Sequence, residues 1–192
     1  ILSEELKNDK LCVLSGPNLS HEIAKGLPAA SVAASRETEV AKRVQEALIL
    51  ERFRVYTNPD VIGVQLGGAL KNIIAIAAGV ADGLGLGDNA KAGLLIRGIV
   101  EITRLGMALG ANAETFSGLS GMGDLIATCS SKLSRNHHVG EQIAKGKKLP
   151  EILAGMKDVA EGVPTAAAAR ELGRRHNVVL PITEEVHNVL YK

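Results

Sequence analysis

The chain changes its hydrophobic rhythm once, near residue 58. Before that point, short apolar runs at residues 11–14 and 31–34 stand beside Gly or Pro, the pattern of short strands. Residues 18–26, between them, hold one or two helical turns. The stretch ETEVAKRVQEALIL (37–50) places Val40, Val44, Ala47 and Leu48 on one helical face. Phe53, Val55 and Tyr56 then alternate with Arg52, Arg54 and Thr57, as in a half-buried strand. Strand, helix and strand in this order predict the trailing edge of a larger α/β sheet, since so few strands leave faces that need cover.

From residue 58 onward the period is helical. Asn58-Pro59 predicts the cap and first turn of a helix passing Gln65, Lys71 and Ala78 toward Asp82. Its many Gly and Ala positions lower helix propensity but let another backbone approach closely. GLGLG (83–87) ends it, and Asp88 or Asn89 caps the next, whose Leu94, Leu95, Ile99, Ile102 and Leu105 keep the helical spacing. Shorter helices are predicted around 113–130, 135–145, 149–156, 164–176 and 183–191, giving six or seven in all. The chain thus divides into residues 1–57, an α/β remnant, and residues 58–192, an all-helical unit, and the whole is mainly α.

Composition narrows the partners. Among 192 residues, Lys+Arg 22 against Asp+Glu 21 leaves a net charge of +1, so no bulk field favours nucleic acid or an anionic membrane. Two Phe, two Tyr and no Trp argue against a base-stacking surface. Cys12 and Cys129 lie far apart and lack the paired spacing of a zinc site, which predicts reduced thiols, a cytoplasmic location and no metal. The chain opens on the charged residues Glu4, Glu5, Lys7, Asp9 and Lys10 rather than on a signal peptide. Its longest apolar run, residues 73–81, is too short to span a bilayer, so no membrane insertion is expected.

Three places can carry chemistry. Lys71 stands among Leu70, Ile73, Ile74 and Ala75, where its stem can lie along apolar surface, its charge can be paired, or its ammonium can enter a cleft and exchange a proton. Asp124 follows a glycine, a common place for a charge that meets a helix dipole. Ser134 is a good N-cap, beside which exposed amides and the Arg135 fork either stay solvated or converge on an anion such as phosphate. His137 and His138 are adjacent, so they point to different helix faces and read as solvated rather than as a metal pair.

These residues lie in longer stretches: SGPNLSHEIAKGLP (15–28), LGGALKNIIAIAAGVADGLGLGDNAKAGLLIRGIVEITRLG (66–106), GLSGMGDLIATCSS (118–131), LSRNHHVGE (133–141), VAEGVPTA (159–166) and LPITEEVHNVLY (180–191). In that order, and over nearly the whole chain, they resemble the NAD(P)-dependent glycerol-3-phosphate dehydrogenases of the bacterial, soluble type. The resemblance implies a 6-phosphogluconate-dehydrogenase-like helical domain preceded by the last strands of a Rossmann domain. It also implies interconversion of dihydroxyacetone phosphate and sn-glycerol 3-phosphate, toward glycerophospholipid synthesis, with NAD or NADP as cofactor. By the same resemblance Lys71 is the acid/base on the C2 oxygen, with Asp124 beside the reacting hydroxyls. Gly16, Asn18, Thr128, Ser134, Arg135 and Asn136 would contact substrate, and Ser20, Arg135, Val159 and Glu161 the cofactor. The expected partners are this small substrate and, as an option, a second copy of the chain.

One expected motif is not in the sequence. A Rossmann half begins with a strand running into G-x-G-x-x-G at a helix start, where backbone amides receive the pyrophosphate. The glycines at 83, 85 and 87 follow a helix instead, and GLSGMG (118–123) has the wrong spacing. A second substrate-site lysine that relatives carry in their front half also has no counterpart. The 192-residue chain alone is therefore expected to transfer little or no hydride. Two other readings compete: a related Rossmann-plus-helical dehydrogenase of hydroxyacids or phosphosugars, and a non-catalytic helical dimerisation module whose Gly/Ala helices serve packing alone.

Overall fold

The computed structural model describes residues 4–5, 7 and 10–192; Asp9 of the charged opening lies outside them. Three strands, β1 (Val13–Ser15), β2 (Ala29–Ala34) and β3 (Phe53–Asn58), form one sheet in that order. β1 runs antiparallel to β2, with Val13 opposite Ala34, and β2 runs parallel to β3, with Ala29 opposite Phe53. Helix α1 (Ser20–Ala24) fills the first connection, and α2 (Thr38–Leu48) makes the crossover that a parallel pair requires.

Two details of this α/β part differ from the sequence pattern. α2 packs through buried Ala41 and through Gln45, whose Nε2 donates to the Val55 carbonyl at 2.6 Å, whereas Ala47 and Leu48 are exposed. The helix leans on β3 by a face one residue round from the most apolar one, because that side bonds to the strand. Tyr56 is exposed as well: strict period-two alternation puts it with Arg54, opposite the buried Val55.

Eight α-helices among the described residues follow the sheet: α3 (Val61–Gly83), α4 (Gly87–Ala108), α5 (Ala113–Phe116), α6 (Asp124–Ser130), α7 (Arg135–Ala144), α8 (Leu149–Ala154), α9 (Gly162–Arg175) and α10 (Pro181–Tyr191). The count exceeds the predicted six or seven because residues 113–130 do not form one helix; a π-helical turn, Leu119–Gly123, interrupts them. The fold is mainly helical, with a small sheet at one side.

The helix boundaries rest on carboxylates that the sequence pattern did not single out. Asp60, not Asn58, caps α3: its Oδ1 accepts from the Gly63 amide at 2.8 Å, while Asn58 Oδ1 accepts from the Asp60 amide at 2.8 Å. Asp60 Oδ2 also accepts from the Asn112 amide and the Thr115 hydroxyl, at 2.9 and 2.7 Å, tying the sheet's exit to α5. Asp88 falls inside the first turn of α4, which starts at Gly87 with no side-chain cap. Glu101, buried on α4, accepts from the Ile182 and Thr183 amides and the Thr183 hydroxyl at 2.6–2.8 Å, so one carboxylate satisfies the start of α10.

α3 is the axis of the helical body. At 23 residues, with an 18-residue window of mean hydropathy 1.6, it is long and apolar enough to cross a membrane by length and composition, far longer than the run at 73–81. Here Leu70, Ile73, Ile74 and Ile76 are buried in the main core, and α4, α6, α7 and α9 pack against it. Its contact with α7 is backbone to backbone. A Cβ built on Gly79 would collide with the His137 carbonyl oxygen, and one on Gly140 with the Ile76 carbonyl oxygen. Only glycine at both positions permits so close a crossing.

Candidate active site

α3 passes beneath the loop that follows β1, and the space between them opens into two adjoining cavities that share Asn18, Gly68 and Lys71. The first, of about 390 Å³, is also lined by Gly16 and Asp124; the second, of about 670 Å³, runs on to Thr128, Ser134, Arg135, Asn136 and Glu161. The helical spacing of α3 buries Leu70, Ile73 and Ile74 and leaves Lys71 turned toward this cleft. Its ammonium forms an ion pair with Asp124 Oδ1, the side chains being 17% and 5% exposed.

Asp124 stands at the start of α6, where a carboxylate meets the positive end of the helix. Thr128, one turn on and also buried, donates from Oγ1 to Asp124 Oδ1 at 3.2 Å. The Gly16 amide reaches the same carboxylate from the other wall. Gly16 has φ 144°, and a Cβ there would press on the Ala30 carbonyl at 3.0 Å, so this residue must be glycine for the amide to turn inward. Burial pushes the Asp124 carboxyl above the ordinary carboxylate range, although Lys71, Thr128 and the Gly16 amide pull it the other way.

The opposite end of the larger cavity is the first turn of α7. Ser134 caps that helix as the sequence predicts, its Oγ accepting the His137 amide at 3.2 Å. Arg135 projects to the cleft rim, where Nη2 lies 3.2 Å from Glu161 Oε1, the two side chains being 44% and 53% exposed. Asn136 is buried; its Nδ2 donates to Asn72 Oδ1 at 3.0 Å and its Oδ1 accepts the Gly162 amide at 2.8 Å. Asn18 Nδ2 donates to Ser31 Oγ at 2.9 Å, and its buried Oδ1 has no hydrogen-bond partner among the described residues. Ser20 lines the larger cavity, whereas Val159 is exposed and lines neither.

Two departures from the sequence reading stand out here. His137 is buried, not solvated: its Nε2 lies 2.7 Å from Asp82 Oδ2, while His138 alone faces outward. Lys91 Nζ meets the same Asp82 oxygen at 2.6 Å. Burial would raise the Asp82 carboxyl, but hydrogen bonds from Lys91 and His137 outweigh it and hold the group below its ordinary range. Asn72, which the sequence reading passed over, joins the cavity wall and fixes Asn136. Its signal was present: a polar residue directly after Lys71 in an otherwise apolar stretch. Burial pushes the Cys129 thiol up to about 12, which leaves it protonated and unreactive.

The pair gives a pH dependence with a definite sign. Lowering the pH through the raised Asp124 value neutralises the carboxylate and releases the Lys71 ammonium. In the chain joined behind a relative's front half, an acid limb in kcat/KM is therefore expected above the usual carboxylate value of about 4. Asp124→Asn should remove that limb from the pH–rate profile; a limb that persists unchanged assigns it to another group.

A mainly helical body beside a small three-stranded sheet, with a lysine–carboxylate pair and a rim arginine in one cleft, is the architecture of a helical dehydrogenase domain. The sequence profile of the NAD-dependent glycerol-3-phosphate dehydrogenase C-terminus matches residues 60–192, and that of the N-terminus of the same family matches residues 1–41. The chain belongs to the NAD-dependent glycerol-3-phosphate dehydrogenase family.

Among its relatives, a glycerol-3-phosphate dehydrogenase [NAD(P)+] of Dehalococcoides mccartyi is 54% identical over 100% of this chain and 54% of its own length. One from Trichormus variabilis is 58% identical over 95% of this chain and 60% of its own length. The crystal structure of glycerol-3-phosphate dehydrogenase from Coxiella burnetii superposes with a TM-score of 0.91 at 41% identity, covering 94% of this chain and 55% of that one. The chain thus spans little more than half the length of the relatives it matches.

Proposed function

We propose that this chain carries the substrate side of an oxidoreductase that interconverts dihydroxyacetone phosphate and sn-glycerol 3-phosphate. The observation that carries the reading is one cleft holding the Lys71–Asp124 pair at one end and Ser134 with Arg135 at the other. Lys71 donates its proton to the C2 oxygen as the ketone is reduced, and in reverse takes the proton of the C2 hydroxyl. Its charge also stabilises the alkoxide that develops there. Asp124, held by Thr128 and the Gly16 amide, aims the ammonium. Arg135 and Ser134 take the phosphate, and the free Oδ1 of Asn18 offers an acceptor to a substrate hydroxyl. We read residues 1–57 as the end of the dinucleotide-binding domain and residues 58–192 as the substrate domain.

A three-carbon phosphate ester fills only part of a cavity of about 670 Å³, which leaves room for the end of a larger molecule. Ser20, Arg135 and Glu161 on that rim fit the polar edge of NAD or NADP, with Val159 nearby in sequence; a glycine cradle for the pyrophosphate is not among the described residues. When bound, the nicotinamide supplies the hydride for C2. Two free thiols support a reducing, cytoplasmic setting. The exposed stripe Ile96, Val100 and Met107 on α4 supports a homodimer.

The test is a substrate comparison with the chain joined behind the front half of the Dehalococcoides mccartyi relative. Dihydroxyacetone phosphate is expected to exceed unphosphorylated dihydroxyacetone on the order of a hundredfold in kcat/KM, since hydrogen bonds to charged groups contribute roughly 1.5–3 kcal/mol each. The 192-residue chain alone is expected to show little or no turnover. Equal use of both ketones by the joined protein overturns the reading.

A further inference from the structure

The first turn of α7 is fixed from three directions, and its four leading residues divide the work. Ser134 closes the helix end on the His137 amide. Asn136 bonds to Asn72 on α3 and to the first amide of α9. His137 reaches the far end of α3, where Asp82 holds its Nε2 at 2.7 Å. Arg135 alone of the four is exposed, at the mouth of the cleft.

Asp82 cannot meet the substrate directly. It lies eleven residues beyond Lys71 on the same helix, about 16 Å along the axis. It lines neither of the two cleft cavities. Yet it is bound by two partners on one oxygen, His137 from α7 and Lys91 from α4, and Glu141 Oε2 stands 4.0 Å from the other ring nitrogen of His137. Directly behind this contact the His137 carbonyl rests on Gly79, so the turn has no room to slide along α3. Rotation about the helix axis is resisted by side-chain bonds instead, from Asn136 to Asn72 and to the Gly162 amide near the cleft and from His137 to Asp82 on the side away from it.

We propose that Asp82, acting through His137 and with its charge balanced by Lys91, is a positioning residue for the phosphate end of the cleft. It sets the rotation of the α7 turn at which Ser134 and Arg135 face the substrate. The inference rests on the reading that Arg135 holds the phosphate, and it deepens that reading by naming what aims the arginine.

Asp82→Ala in the joined protein is expected to raise KM for dihydroxyacetone phosphate about tenfold while kcat stays within twofold. The kcat/KM for unphosphorylated dihydroxyacetone, which has no group for Arg135, should also stay within twofold. In an Arg135→Ala background the same substitution should add nothing, because the residue it aims is gone. His137→Asn, which withdraws the ring but leaves the Asp82–Lys91 pair, should reproduce the split and serves if Asp82→Ala does not fold. Equal losses on both ketones, a loss confined to kcat, an additive effect in the Arg135→Ala background, or no effect of His137→Asn each overturns the proposal. If Arg135→Ala itself leaves KM for dihydroxyacetone phosphate unchanged, the underlying assignment of the phosphate site fails first, and this proposal fails with it.

Discussion

Lys71→Met, in the chain joined to a relative's front half, is expected to lower kcat for dihydroxyacetone phosphate reduction by about 10²–10⁴-fold, the usual contribution of a positioned acid or base. Methionine keeps the unbranched stem, so packing around α3 is preserved and the loss falls on the ammonium. Two effects disappear together: the proton for the C2 oxygen and the charge that stabilises the developing alkoxide. Asp124, then without its cation and almost fully buried, takes up a proton rather than remaining as an isolated charge, which limits structural damage. Because Ser134 and Arg135 are untouched, KM should move much less than kcat. Steady-state kinetics checks both quantities, and a variant keeping more than a tenth of its turnover would exclude Lys71 as the proton donor.

Gly140→Leu is expected to destabilise the fold by about 3 kcal/mol or more, the upper range for overpacking a filled core. Its first added atom would strike the Ile76 carbonyl oxygen and stand 2.7 Å from the Val80 nitrogen. Backbone cannot rotate away as a side chain can, so α3 and α7 must separate along their shared length. For a domain of this size that corresponds to a loss of roughly 6–12 °C in Tm. Gly93→Ala is the matched control, since a Cβ there meets nothing within 4 Å. Thermal melts of the two variants decide; a change under 2 °C for Gly140→Leu would show the crossing to be looser than its geometry implies.

Local rules made the helices legible, and long-range pairing explains most of what they missed. The periodic residues Ile99, Ile102 and Leu105 are buried as their spacing predicts, and Ser134 caps α7 as its position predicts. Lys71 was visible as a charge in an apolar helix, but its pairing with Asp124, fifty-three residues away, depended on the packing of α6 and not on any local pattern. The same holds for His137. Its adjacency to His138, on a different helix face, made it read as solvated, while its partner Asp82 sits fifty-five residues earlier. Asp60 and Glu101 each satisfy hydrogen-bond donors of a distant segment, residues 112–115 and 182–183, so nothing near them in the chain announced their burial. The break at residues 119–123 was foreshadowed by its glycines, yet the π-helical turn depends on how closely that segment packs against its neighbours.

The glycine crossing also makes the cleft a ruler. In the proposed reading α3 carries the group that meets C2 and α7 the group that meets phosphate, and at Gly79 and Gly140 the two helices touch main chain to main chain. The span from reacting carbon to anionic end is consequently set first by the backbone, and the side-chain bonds of Asn136 and His137 adjust only how the α7 turn is rotated within it. Affinity can be tuned residue by residue, but the number of carbons between the two ends of an accepted molecule cannot.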